Sequence, residues 1–196
     1  MSRHIALIAG SSQPSSQSAK VAHWLAASLQ RQSCETSVIE LGQQTLPLWP
    51  EADSKGVWPE ISATLRSADA LVVISPEWHG MASPALKNLF MYAGRRELAH
   101  KPALLVGVSG GQGGSYPLAE LRASSYKNCR VCYLPEHLIV RNAEQVMNPG
   151  EPASDDDQRI RARAHWAMAL LLDYTDALAP LHERHRSPPA DWMNGM

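Results

Sequence analysis

Ala70-Leu71-Val72-Val73-Ile74-Ser75-Pro76-Glu77-Trp78-His79-Gly80 is the stretch whose reading decides the fold. Its first five residues are apolar without a break and rich in β-branched side chains. A strand with one wet face alternates apolar and polar residues. A continuous run instead marks a strand covered on both faces, as in parallel sheets flanked by helices. The run stops at Ser75-Pro76, and a short loop carrying an acid, an aromatic, a histidine and a glycine follows. In open α/β sheets, ligands sit in such loops, beyond the carboxyl ends of the strands.

Outward from this stretch the same signature recurs. Ile5-Ala6-Leu7-Ile8-Ala9 lies upstream and Ala103-Leu104-Leu105-Val106-Gly107-Val108 downstream, with weaker strand candidates at 36–41 and 131–134. Helical spacing fills the intervals. Val21, Leu25 and Leu29 recur at i, i+4, i+8, and Ile61 with Leu65 repeats the spacing. Leu86, Leu89, Phe90 and Ala93 follow Pro84, a residue suited to a first helical turn, and Leu118 with Leu121 opens another helix. The last helix begins at Ser154, with Asp157 three residues on in a capping-box arrangement. Its buried stripe is Ile160, Ala164, Ala167, Leu171, Tyr174 and Leu178. Strand and helix alternate about five times, the pattern of a doubly wound α/β sheet. A long loop spans 42–59, and a tail with Pro188-Pro189 closes the chain, giving expected units of 1–182 and 183–196.

Composition narrows the function classes. The 196 residues carry 18 Lys and Arg against 19 Asp and Glu, a net charge of −1, which offers no footprint for nucleic acid or an anionic membrane. The apolar runs are strand-sized, so none is expected to span a bilayer. Three cysteines fit a reducing cytoplasm better than a disulfide framework.

Three loops then share one sheet edge. The first, Gly10-Ser11-Ser12-Gln13-Pro14-Ser15-Ser16-Gln17-Ser18, runs into a helix. Free backbone N–H groups, the helix dipole and short hydroxyls favour a phosphate there, although a serine-rich N-cap also forms without any ligand. The second holds Trp78, His79 and Gly80, suited to a planar ring or to an ordinary turn. The third, Ser109-Gly110-Gly111-Gln112-Gly113-Gly114, lets bare backbone approach the other side of that ring, or is a plain flexible connection. Together they make a phosphate end and a ring end, the shape of flavin mononucleotide.

At this point the residues meet a known family. The segment from Ser75 to Gly80, continuing through Met81-Ala82-Ser83-Pro84-Ala85 into Leu86-Lys87-Asn88, resembles the Pro-Glu-Tyr-Asn-Gly loop and Leu-Lys-Asn helix of the NADPH-dependent FMN reductases. Lys101-Pro102 with the glycine-rich third loop, and Leu46-Pro47-Leu48-Trp49 in the long loop, are similar to further segments of that family. The resemblance implies a flavodoxin-like, five-stranded parallel sheet of order 2-1-3-4-5 with helices on both faces, and FMN and NADPH as cofactors. Ser11, Ser16 and Ser18, with Gln13 and Gln17, would hold the FMN phosphate. Pro76, Glu77, Trp78, His79 and Gly80 would line the ring and ribityl chain. Ser109, Gly110, Gly111 and Gly113 would close over the pyrimidine side. The resemblance also implies a homodimer or homotetramer, and hydride transfer from NADPH through FMN to a small acceptor such as free flavin or a quinone, with no catalytic side chain. The chain departs from the family pattern at Gln13, where an Arg is usual, at Ser18 in place of Asn, and at Trp78-His79 in place of Tyr-Asn.

Two other functions compete. Gly107-Val108-Ser109-Gly110-Gly111 matches the Gly-x-Ser-x-Gly elbow of serine hydrolases, with Asp173 or Asp176 and His182 or His185 in the required order. The elbow should enter a helix directly, whereas Gln112-Gly113-Gly114 intervenes. A flavodoxin-like electron carrier would be strongly acidic, and this chain is not. Cys129 and Cys132 have the spacing of a redox pair but straddle a strand instead of opening a helix, so they read as structural.

Overall fold

The computed structural model of the chain describes residues 2–185. Strands β1 (His4–Ala9), β2 (Glu35–Glu40), β3 (Ala70–Pro76), β4 (Pro102–Val108) and β5 (Cys132–Val140) form one sheet. Helices α1 (Gln17–Gln30), α2 (Val57–Ser67), α3 (Pro84–Tyr92), α4 (Arg95–Leu98), α5 (Tyr116–Ser124) and α6 (Asp155–Arg184) connect and cover them. Every neighbouring pair is parallel, in the order β2-β1-β3-β4-β5. This is the order the resemblance implies.

The continuous apolar runs bury both faces because alternate residues serve opposite cores. Ile5, Leu7, Val72, Ile74, Leu104 and Val106 meet α1 and α6 on one side. Ala6, Ile8, Leu71, Val73, Ala103 and Leu105 meet α2, α3 and α5 on the other. The polar edge strands mark where this cover ends.

Three local expectations are revised. Strand β5 runs to Val140, well past Leu134. At the sheet edge it carries Pro135, Glu136 and His137, whose polarity hides the strand signal, and its pairing with β4 shifts register between Ala103 and Leu105. Ser154 caps α6 by accepting the Asp157 N–H at 3.2 Å, but the Asp157 carboxylate does not return the bond to Ser154. It accepts instead from Ala153 N at 3.0 Å and Met147 N at 2.8 Å, and pairs with Arg161. The expected boundary after His182 falls inside α6, which continues through Pro180 to Arg184. His182 Nδ1 lies 2.8 Å from the Ala99 carbonyl, which ties that last turn to the body of the domain. The Pro188-Pro189 segment lies outside the described residues.

Candidate functional site

The three loops leave the sheet side by side. Ala9 is in register with Ile74, and Pro76 with Val108. Strands β1 and β3 are neighbours, so the crossing in strand order, where open α/β sheets bind ligands, lies between the first two loops.

The β1 loop is serine-rich because it must start a helix. Ser16 is the N-cap of α1 and accepts the Ala19 N–H at 3.1 Å. Ser11, almost fully buried, accepts the Gln13 N–H at 3.1 Å, curling the loop. Gln13 itself is exposed. Two polar atoms remain: among the described residues, the buried Gln17 Oε1 and Ser18 Oγ have no hydrogen-bond partner. Buried polar atoms are satisfied in the great majority of cases, so two orphans in one helical turn point to an external partner.

The β3 loop is a tight reversal. Trp78 and Met81 pair as an isolated antiparallel bridge, with Met81 N donating to Trp78 O at 3.0 Å. His79 (φ 51°) and Gly80 (φ 71°) occupy the two turn positions, both left-handed as a type I′ turn requires. Glycine suits that conformation; a side chain at position 80 would be strained although the space around it is open. Trp78 is half-buried, while His79 and Gly80 project into solvent.

Glu77 locks this loop to the next. Its Oε2 accepts the Gly114 N–H at 2.7 Å and the Tyr116 N–H at 3.2 Å. A Cβ at position 113 would lie 2.6 Å from Glu77 Oε1, so any other residue there would displace the bracing carboxylate. Ser109 Oγ accepts the Gly111 N–H at 3.2 Å, and Arg141 Nε donates to the Gln112 and Gly113 carbonyls at 2.7 and 3.2 Å. The β4 loop is therefore braced from two sides, while Gly110 and Gly111 face open space.

The candidate residues thus fall on adjoining loops, with Glu77 spent on bracing instead of presenting its carboxylate to solvent. Sequence reasoning missed the residues that hold the loops in place. Buried Ser83 donates its hydroxyl to the Gly10 carbonyl, joining the β1 and β3 loops. Asn88 donates to Pro47 O at 2.8 Å and accepts Trp49 N–H at 2.9 Å, pinning the long loop. Glu120 accepts Ala82 N–H at 2.7 Å and pairs with Lys87 at 3.1 Å, which together hold its carboxyl below the usual range. Lys87 and Asn88 lie in the Leu-Lys-Asn signature, but their partners are more than 30 residues away in sequence.

The serine-hydrolase alternative fails on geometry. Ser109 is followed by a loop that reaches a helix only at Tyr116. His182 is bonded to Ala99 and His185 packs against His100 with ring centroids 5.8 Å apart, both contacts just before β4 begins. Asp176 pairs with Arg3, ahead of β1, and Asp173 lies in the field of the same arginine. The seven residues of β4 separate these groups from Ser109 by roughly 20 Å, at about 3.3 Å per residue. Cys129 and Cys132 are free thiols, and burial pushes both up, away from a reactive thiolate.

Comparison with known proteins agrees with this arrangement. An NADPH azoreductase of Bacillus sp. (strain OY1-2) is 33% identical over 94 residues, covering 46% of this chain and 53% of that protein. An FMN-dependent NADPH-azoreductase of Staphylococcus aureus is 29% identical over 126 residues, covering 59% and 65%. The chain thus spans between half and two thirds of the length of these curated relatives. Among solved structures, the flavoenzyme NAD(P)H:(acceptor) oxidoreductase FerB from Paracoccus denitrificans shares the fold, with a TM-score of 0.71 at 20% identity, covering 90% of this chain and 98% of that one. The apo form of an NADH:FMN oxidoreductase, EMOB, gives 0.69 at 18% identity, covering 100% and 95%. The family profile described as NADPH-dependent FMN reductase matches residues 3–145, from the start of β1 through all three loops. The chain is a member of the NADPH-dependent FMN reductase family.

Proposed function

We propose that this protein holds FMN across the three loops and acts as an NAD(P)H-dependent reductase of a small acceptor, such as free flavin, a quinone or an azo compound. The observation that carries the reading is the buried Ser18 Oγ at the start of α1, which has no hydrogen-bond partner among the described residues. An unspent hydroxyl donor in the first turn of a helix, whose dipole favours an anion, fits a phosphate monoester. Ser11, Gln13, Ser16, Gln17 and Ser18 would hold that phosphate. Pro76, Glu77, Trp78, His79 and Gly80 would line the ring and ribityl chain, and Ser109, Gly110, Gly111 and Gly113 the pyrimidine edge.

The chemistry that FMN supplies when bound is acceptance of a hydride from a nicotinamide and its onward donation. The side chains then need only bind and orient. Trp78 offers an aromatic face, and at Gly110 and Gly111 the backbone has no neighbour within 4 Å of where a Cβ would stand, which leaves room for a flat ring. No acid or base is needed among them.

A homodimer or homotetramer is part of this reading. Leu48, Trp49, Met81, Met91 and Tyr116 are large, apolar and exposed on the long loop, α3 and the rim of the β3 and β4 loops. Such clustering of exposed apolar side chains suits an interface. A cytoplasmic setting agrees with the three free thiols, and no described helix is long and apolar enough to cross a membrane.

The test is the absorbance spectrum of the purified protein with added FMN, followed anaerobically after NADPH is mixed in. Flavin bands that red-shift on binding and bleach rapidly are expected. A protein that leaves FMN free, or a bound flavin that stays oxidised, would overturn the reading.

A further inference from the structure

Two consecutive peptide planes of the β4 loop are held between opposite charges. On the outer side, Arg141 Nε donates to the Gln112 carbonyl at 2.7 Å and to the Gly113 carbonyl at 3.2 Å. A trans peptide points its C=O and its N–H in opposite directions, so the N–H groups of Gly113 and Gly114 face away from the guanidinium. The Gly114 N–H accordingly donates to Glu77 Oε2 at 2.7 Å, on the inner side. The Gly113 N–H points to that side too, and among the described residues it has no hydrogen-bond partner. Gly113 itself abuts the β3 loop, since a Cβ there would meet the Glu77 carboxylate and lie 3.3 Å from Ser109 Oγ.

These bonds do more than brace the loop. Among the described residues Arg141 pairs with no carboxylate, so its charge is directed at the two carbonyls. A cationic donor draws electron density from a carbonyl and strengthens the N–H of the same peptide. Arg141 is exposed, so water and salt screen its field at a distance; the hydrogen-bonded peptides are the route inward.

We propose that Arg141 is a positioning residue that strengthens the Gly113 N–H as a donor to the pyrimidine end of FMN and so stabilises reduced FMN over oxidised. The proposal rests on the reductase reading above. Hydride transfer moves two electrons and one proton onto the flavin, leaves the nicotinamide oxidised and gives the ring one negative charge. That charge is spread over N1 and the C2 carbonyl of the pyrimidine end. A fixed N–H aimed where charge develops favours the product of that step over its reactant. Arg141 also offsets the Glu77 carboxylate, which would otherwise oppose the reduced ring.

Anaerobic titrations of the full chain with oxidised and with reduced FMN, together with the midpoint potential of the bound flavin, read this effect without turnover. In Arg141→Gln, which keeps a donor but no charge, oxidised FMN should bind within threefold of the parent. Reduced FMN should bind at least tenfold more weakly, which lowers the potential of a two-electron couple by about 30 mV. Arg141→Lys, which keeps the charge, should recover most of that loss. Equal weakening of both forms would leave Arg141 as a brace alone, and that result or an unchanged potential overturns the proposal. The pH dependence of the parent's potential gives a second test that no misfolded variant can obscure. Bound reduced FMN should lose its N1 proton at a lower pH than free reduced FMN does; an equal or higher value overturns the proposal. A parent that binds no FMN removes the reductase reading and this proposal with it, whereas bound FMN that misses these shifts removes this proposal alone.

Discussion

The carboxylate of Glu77, one residue beyond β3, accepts the backbone N–H of Gly114 at 2.7 Å, at the far end of the β4 loop. With the Tyr116 N–H on the same oxygen, one side chain fixes two loops relative to each other. Glu77→Ala leaves two amide donors without their partner, a loss of about 1–3 kcal/mol. Its melting temperature should fall and its FMN affinity should drop tenfold or more, whereas Glu77→Gln, which keeps an acceptor oxygen, loses less. Flavin-fluorescence titration decides it, and an alanine variant that binds FMN like the parent would remove the clasp from the account.

Ser18 separates stability from binding. Its buried Oγ has no partner among the described residues, and alanine is the better helix former. Ser18→Ala should therefore leave the apoprotein as stable or slightly more so. FMN affinity should weaken by roughly tenfold, the worth of one hydrogen bond to a charged group. A calorimetric melt and an FMN titration on one preparation measure both; an unchanged affinity would take the hydroxyl out of the phosphate site.

Gln13 lies exposed on the same loop, where the family pattern carries Arg. Gln13→Arg should tighten FMN binding, since a charge-assisted bond replaces a neutral one, and the gain should shrink as salt is raised. Titrations at low and high ionic strength check it. Tighter binding without salt dependence would point to a different cause.

Asn88 grips the long loop through both atoms of its amide, donating to Pro47 O and accepting from Trp49 N. Asn88→Asp puts an acceptor where the Pro47 carbonyl requires a donor. Limited proteolysis should then cut within residues 44–56 at least several-fold faster, and stability should fall by about 1–3 kcal/mol. An unchanged cleavage rate would show that Tyr92, whose hydroxyl also reaches Pro47 O at 3.1 Å, suffices.

Asp157 makes the fold acid-sensitive. Burial pushes its carboxyl up, but Arg161 and the N–H groups of Met147 and Ala153 together outweigh this and hold it at about 2. The folded value lies below the unfolded one, so the stabilisation is present above about pH 4 and is lost as pH falls toward 2. It amounts to about 2 kcal/mol. Thermal melts between pH 5 and pH 2 should show a steep decline in the parent and a shallower one, from a lower start, in Asp157→Asn. Parallel curves would assign the acid sensitivity to other carboxylates.

What could be read in advance divides along physical lines. The runs at Ile5, Ala70 and Ala103 are unmistakable because a doubly covered strand leaves an unbroken apolar record. Strand β5 left a broken one: at the sheet edge Glu136 is covered by its ion pair with Arg163 instead of by apolar packing, so polar residues interrupt the run. The loops could be located because serine and glycine are selected by local backbone needs. Their cross-bracing could not. Ser83 to Gly10, Glu77 to Gly114 and Arg141 to Gln112 each join residues at least 29 positions apart, and ordinary side chains make these bonds. Asp157 shows the same limit at short range, where a capping pattern is present but its carboxylate serves a neighbouring loop.

The cross-bracing divides the rim into two zones with different tolerance to change. The inner zone is interlocked through Ser83, Glu77 and Arg141, so a substitution there disturbs several loops together. The outer zone, comprising the His79-Gly80 tip with Leu48 and Trp49, is exposed and carries none of those three inter-loop bonds. New acceptors can therefore be sought by varying position 79 first, with the bracing residues and the exposed apolar positions 48 and 49 kept constant as a chassis.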